Sequence, residues 1–188
     1  MKTLVCFGDS LTAGHEGKER PRLSEKLTHQ LSAYKVINAG VAGNTTKDAL
    51  NRIDKDVLNF TPDLVTVLFG SNDAAANKKV GIKTYKENLL KMTNLIGPDR
   101  TILITPPPVD ETLQPNRTNS ELAKYADAVK QVAEETGSHF IEFFTEVHSI
   151  PDYEKLLVGI LNDGLHFGEA GYDLLSELIT KKISEISS

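Results

Sequence analysis

The chain's absences narrow what it can be. Its 188 residues include a single cysteine, Cys6. No internal disulfide can form, and the apolar neighbours of Cys6 mark a buried, unreactive thiol. The 21 basic and 26 acidic residues form no block of like charge, and the net charge is −5. That balance argues against a nucleic-acid or anionic-membrane surface. No apolar run approaches membrane-spanning length. The opening Met-Lys-Thr is followed by too few apolar residues before Gly8 for a secretory signal, so the cytoplasm is the expected setting. No His, Cys, Asp and Glu residues recur at metal-ligand spacing, and neither a metal nor another cofactor is implied. A dinucleotide fingerprint would need glycine where Asn38 stands. No Gly-x-Ser-x-Gly pentapeptide occurs, which disfavours an α/β-hydrolase. With no internal repeat, low-complexity tract or linker, residues 1–188 are expected to form one domain.

What is present is a regular alternation of strand-like and helix-like segments. Thr3 to Phe7 is a short apolar run, broken abruptly by Gly8-Asp9-Ser10. A polar segment with His15, Lys18, Arg20 and Pro21 precedes Leu23, Leu27 and Leu31 at helical spacing. Lys35 to Ile37 reads as a second strand, ending in a loop from Asn38 to Asn44. Thr46 is the expected cap of a helix carrying Ala49, Leu50, Ile53 and Val57. Leu64 to Phe69 is nearly all apolar, as in a central parallel strand covered on both faces, and stops at Gly70-Ser71-Asn72-Asp73. A helix over Ile82 to Ile96 is closed by Gly97-Pro98. Thr101 to Ile104 is the fourth strand. After a long loop, Asn119 or Ser120 caps a helix reaching about Glu135. Phe140 to Phe143 is the fifth strand, Tyr153 to Leu161 a short helix, and a last helix turns Leu174, Leu175, Leu178, Ile179 and Ile183 inward. Five strands alternating with helices predict a parallel sheet in a three-layer α/β/α sandwich.

Open parallel sheets collect ligands at the carboxyl ends of their strands. Four loops fall there: Ser10 after the first strand, Gly40 to Asn44 after the second, Asn72 after the third, and Asp163 with His166 after the fifth. Each alone reads as an ordinary turn. Together they supply what acyl transfer requires. A serine hydroxyl needs a base within hydrogen-bond reach, and an imidazole, with an ordinary pKa of about 6.5, is mostly neutral at pH 7. His166 can be that base, and Asp163, three residues earlier, can accept its other N–H. The N–H groups of Ser10 and Gly43 and the amide of Asn72 can hold a tetrahedral oxyanion. Asp9 more readily holds its own turn than does chemistry. Asp73 is the rival to Asp163, although it more readily braces its own loop. His15, His29, His139 and His148 show no carboxylate pattern and are expected to be structural or at the surface.

Four blocks now stand in order: Gly8-Asp9-Ser10-Leu11, Asn38-Ala39-Gly40-Val41-Ala42-Gly43, Gly70-Ser71-Asn72-Asp73 and Asp163-Gly164-Leu165-His166. In that order and spacing the chain resembles a GDSL-type member of the SGNH hydrolase superfamily, the esterases, lipases and acylhydrolases. The resemblance implies a flavodoxin-like fold with a five-stranded parallel sheet. It implies Ser10 as nucleophile, Ser10, Gly43 and Asn72 as the oxyanion hole, and His166 as base oriented by Asp163. Phe69 to Ala74, Thr105 to Pro108 and Asp163 to Phe167 look most like the isoamyl-acetate-hydrolysing esterase group.

The expected activity is therefore a serine esterase acting on small or medium acyl esters through an acyl-enzyme. The alternatives are a lysophospholipase, thioesterase or carbohydrate acetylesterase of the same superfamily, an acyltransferase, or a non-catalytic binding module. The expected partner is a small-molecule ester, with no nucleic acid and no membrane; the sequence assigns no oligomeric state. Asn77 to Gly81, Pro106 to Asn119 and Glu146 to Leu161 are the expected pocket walls, and no insertion is long enough for a lipase-like lid.

Overall fold

A computed structural model describes residues 1–15 and 21–187; Lys18 and Arg20 of the polar segment lie outside the described residues. Its centre is an all-parallel sheet of β1 (Lys2–Gly8), β2 (Tyr34–Gly40), β3 (Leu64–Leu68), β4 (Thr101–Ile104) and β5 (His139–Ile141), in the order β2-β1-β3-β4-β5. This is the doubly wound, flavodoxin-like order, with chain reversal between β1 and β3 creating a crevice at their carboxyl ends. Around the sheet stand α1 (Ser10–Ala13), α2 (Arg22–Gln30), α3 (Thr46–Leu50), α4 (Ile53–Asp56), α5 (Ile82–Ile96), α6 (Asn119–Thr136), α7 (Phe143–His148) and α8 (Glu169–Ile186).

Because side chains alternate across a strand, each strand feeds two cores. Val5, Phe7, Val65, Val67 and Leu103 face Ala49, Tyr85, Leu89, Met92, Tyr125 and Val129 from α3, α5 and α6. Leu4, Cys6, Leu64, Leu68, Ile102 and Ile104 face Leu23 and Leu27 of α2, Val147 of α7 and Leu175 and Ile179 of α8. The apolar runs are continuous because both faces are covered, as expected for buried parallel strands. Burial pushes the Cys6 thiol up to about 12, so it stays protonated and inert.

Several boundaries differ from the sequence reading. β2 continues through Asn38 to Gly40, because Cys6, Phe7 and Gly8 of β1 pair in register with Asn38, Ala39 and Gly40. Thr45, not Thr46, caps α3: its hydroxyl accepts from Asp48 N while Asp48 returns a bond to Thr45 N, a reciprocal capping box. The stripe is broken up, with Ala49 and Leu50 in α3, Ile53 in α4 and Val57 just beyond it, and Leu50 is only partly buried. Thr118 caps α6 through Glu121 N; Asn119 instead bonds both backbone groups of Val109, and Ser120 lies inside the helix. β5 ends at Ile141, and Phe143 opens α7. The segment expected as a helix to Leu161 is a 3-10 turn over Tyr153–Leu157. On α8, Leu175, Ile179 and Ile183 are buried, whereas Leu174 and Leu178 only border the core.

Candidate active site

Ser10 is the first residue of α1, immediately beyond the carboxyl end of β1. Asp9 caps that short helix, accepting Leu11 N at 2.9 Å, so it holds the Ser10 turn as its residue type suggests. Tyr172 of α8 donates its hydroxyl to Leu11 O at 3.0 Å, tying the turn to α8 within the core they share.

From Ser10 a continuous relay runs outward. Its Oγ lies 2.9 Å from Nε2 of His166, and Nδ1 of His166 lies 2.7 Å from Oδ2 of Asp163. An ionised carboxylate can only accept, so the proton sits on Nδ1, leaving Nε2 to accept from the serine. Burial works to raise the Asp163 carboxyl. The His166 N–H, the imidazole and Leu165 N–H outweigh it and hold the group below its ordinary value. The carboxylate is thereby kept ionised and aimed.

The Asp163–His166 loop does not follow β5 directly: α7 and the 3-10 turn intervene. It turns sharply, with Asn162 and Gly164 both in the left-handed region (φ 45° and 73°), where asparagine and glycine are the tolerated residues. A Cβ on Gly164 would stand 2.9 Å from Asp110 Cβ and 3.0 Å from Leu113 Cβ. Beyond His166, the Phe167 ring packs edge-on against Phe143 and Tyr172, anchoring the loop in the core.

Across from the relay stand Gly43 and Asn72. Gly43 has φ 79°, which only glycine adopts without strain, and its carbonyl accepts Lys78 Nζ at 2.8 Å. Asn72 is buried. Its Nδ2 donates to Asn44 O at 3.1 Å and, at a longer 3.3 Å, to Asp9 Oδ2. Asp73 turns away from the relay, its Oδ1 accepting Thr46 N at 2.9 Å and Thr46 Oγ1 at 2.5 Å. Asp163 and not Asp73 therefore meets His166. Burial raises the carboxyls of Asp9 and Asp73 to about 6 each. Among the described residues, no group of three or more His, Cys, Asp or Glu side chains is placed to hold a metal ion, and no helix is long and apolar enough to cross a membrane.

Three buttressing side chains escaped the sequence reading. Arg52 donates to Gly8 O, Ala39 O and Asn44 Oδ1 at 2.8, 2.8 and 2.6 Å, lacing the ends of β1 and β2 together, and its guanidinium stacks 4.6 Å from the Phe7 ring centroid. Arg117 and Gln114 contact the Asn72 and Asp163 loops. No periodicity distinguishes such residues from surface polar ones, because their partners are carbonyls remote in sequence. His15 and His148 are exposed, and His139 reaches Asp99 O at 3.1 Å.

The chain is similar to known proteins along nearly its whole length. Residues 6–174 match the family model described as the GDSL-like lipase/acylhydrolase family. The human isoamyl acetate-hydrolyzing esterase 1 homolog is 30% identical over 213 residues, covering 97% of this chain and 83% of that protein. The crystal structure of a lipase/acylhydrolase from Enterococcus faecalis superposes with a TM-score of 0.91 at 35% identity, covering 97% of this chain and 95% of that one. An acetylxylan esterase from Geobacillus stearothermophilus follows at 0.79 and 26% identity, covering 97% and 94%.

Proposed function

The chain belongs to the GDSL-like lipase/acylhydrolase family and is a carboxylic ester hydrolase, and on that premise we propose that it works through a covalent acyl-serine at Ser10. The observation that carries this reading is the unbroken relay Ser10 Oγ–His166 Nε2, His166 Nδ1–Asp163 Oδ2. As Ser10 attacks the ester carbonyl, its proton moves to His166 Nε2, and the imidazolium is stabilised by Asp163. The tetrahedral oxygen takes up negative charge and is met by the N–H groups of Ser10 and Gly43 and by Nδ2 of Asn72. The longer of the two Asn72 bonds, to Asp9 Oδ2, is the one that yields to the oxyanion. Collapse breaks the ester C–O bond, and His166 returns its proton to the leaving alkoxide. Water, activated by the same imidazole, then releases the acid and restores the serine.

The substrates we propose are esters of small or medium acyl groups. Two of the three relatives above carry names that point to acetate esters, one as a homolog of an isoamyl acetate-hydrolyzing esterase and one as an acetylxylan esterase, and the acyl group is what those esters share. The acetylxylan esterase likeness favours a second reading, a carbohydrate acetate as the natural ester.

A panel of p-nitrophenyl esters tests both parts. Ser10→Ala is expected to abolish turnover, and unchanged turnover would sink the nucleophile assignment. The native protein is expected to favour acetate and butyrate esters; robust triolein hydrolysis with little on acetate would contradict the substrate assignment.

A further inference from the structure

The loop between β4 and α6, expected from sequence as a pocket wall, joins the two sides of the site. Arg117 Nε donates to Ser71 O at 2.6 Å, Nη2 to Asn72 Oδ1 at 3.2 Å and Nη1 to Gln114 Oε1 at 2.8 Å. Gln114 Nε2 in turn donates to Asp163 O at 2.5 Å. Backbone bonds secure the same loop at both ends, Ala76 N to Asn116 O at 2.9 Å and Asp110 N to Gly164 O at 2.8 Å. The half-buried guanidinium is thus the midpoint of a chain of bonds from the Asn72 loop to the Asp163 loop.

The chemistry of the partners fixes which end of the Asn72 amide faces which neighbour. A guanidinium can only donate, so the atom it meets is Oδ1; Asn44 O can only accept, so the atom it meets is Nδ2. When the second Nδ2 hydrogen leaves Asp9 for an oxyanion, the donor end keeps a single anchor, Asn44 O. What then holds the amide plane is its acceptor end, against Arg117. A cation on Oδ1 also polarises the amide, making its N–H groups stronger donors.

We propose that Arg117 is a positioning residue for the oxyanion donor, clamping Ser71 and Asn72 so that the amide presents its N–H to the reacting carbonyl. This rests on the Ser10 reading above, because it concerns the donor set of the same site. The interaction matters when charge develops on the carbonyl oxygen, so it acts on kcat more than on KM.

The test is a double-mutant cycle on p-nitrophenyl acetate hydrolysis, with thermal midpoints to establish that each variant is folded and Ser10→Ala as the reference. Asn72→Ala is expected to lower kcat by about 10²–10³, the usual loss for one oxyanion donor. Arg117→Gln is expected to lower kcat about 10–100-fold with KM within about threefold of the parent, whereas added to Asn72→Ala it should cost less than about threefold, since coupled residues are non-additive. Arg117→Lys keeps the charge, but one ammonium cannot serve Ser71, Asn72 and Gln114 together. It should lose about 3–10-fold, and it carries the cycle if Arg117→Gln does not fold. Equal losses in the presence and absence of Asn72, or full kcat in the Arg117 variants, would overturn the proposal while Ser10→Ala remains inactive. An active Ser10→Ala would instead overturn the nucleophile reading on which it rests.

Discussion

The Ser10 side and the Asp163–His166 side of this site are built differently. Ser10 and Asn72 lie just beyond β1 and β3, on strands whose register is fixed by backbone pairing and whose side chains are almost wholly buried. Asp9 and Asn72, on the same side as Ser10, are themselves buried, at 1% and 6% exposure. Asp163 and His166 are more open and sit on no strand. Their loop is held by its own turn, by the Phe167 anchor and by the β4–α6 loop packed against Gly164. The backbone of the Ser10 side inherits its placement from the sheet, with the Asn72 amide also met by Arg117 from the β4–α6 loop. The other side is placed by loop-to-loop bonds, so small local changes there should alter activity without unfolding the protein.

Substitutions can separate the two halves. The largest effect expected is for His166→Ala, which removes the base and should lower kcat for p-nitrophenyl acetate by at least about 10⁴-fold with little change in thermal midpoint. Asp163→Asn should follow at about 10³–10⁴-fold, because the amide no longer accepts at Oδ2 and favours the wrong imidazole tautomer. Gly164→Ala tests the loop-held half directly. Its left-handed φ of 73° and a Cβ some 2.9 Å from Asp110 should shift the loop, and displacements of an ångström cost on the order of 10²-fold in rate. Its counterpart in the sheet-held half is Leu89→Ala, in the core against β1 and β3. It should lose about 2–5 kcal/mol of stability in denaturant melts while kcat of the folded fraction stays near the parent. If Leu89→Ala damaged kcat as much as Gly164→Ala, the contrast between the halves would fail.

The smallest effect concerns pH. Asp73 is buried with Oδ2 unpartnered among the described residues, and its folded pKa is about 6 against an ordinary 3.8. The native state therefore holds this proton more tightly than the unfolded chain. Its contribution to stability is present below about pH 4 and is lost as pH rises through about 6. A shift of this size corresponds to at most about 3 kcal/mol. Asp73→Asn mimics the protonated acid, keeping an acceptor for Thr46, so its stability should fall less than the parent's between pH 4 and 7. Parallel pH profiles for the two proteins would contradict that assignment.

Much of this was legible in the residues. The strands announce themselves because burial on both faces demands unbroken apolar runs, as in Leu64 to Phe69. Gly8-Asp9-Ser10 and Gly70-Ser71-Asn72-Asp73 stand out because they end such runs. What was not legible depends on partners distant in the chain. Asn38 and Gly40 look like loop residues and become strand only by pairing with Cys6 and Gly8. Phe143 looks like the end of a strand and instead starts α7, where its ring packs edge-on against Phe167. Asn119 looks like a cap and is instead a brace on Val109. Arg52, Gln114 and Arg117 give no local sign at all, since each acts on carbonyl or amide oxygens that only the fold brings near.

The central claim is that Ser10 is a nucleophile activated by His166. A serine-directed fluorophosphonate, followed by mapping of the modified peptide, tests it most directly. The account predicts a single adduct on Ser10, formed rapidly by the parent protein and at a rate lowered by orders of magnitude in His166→Ala. An adduct on another residue, or undiminished labelling of Ser10 without His166, would contradict it.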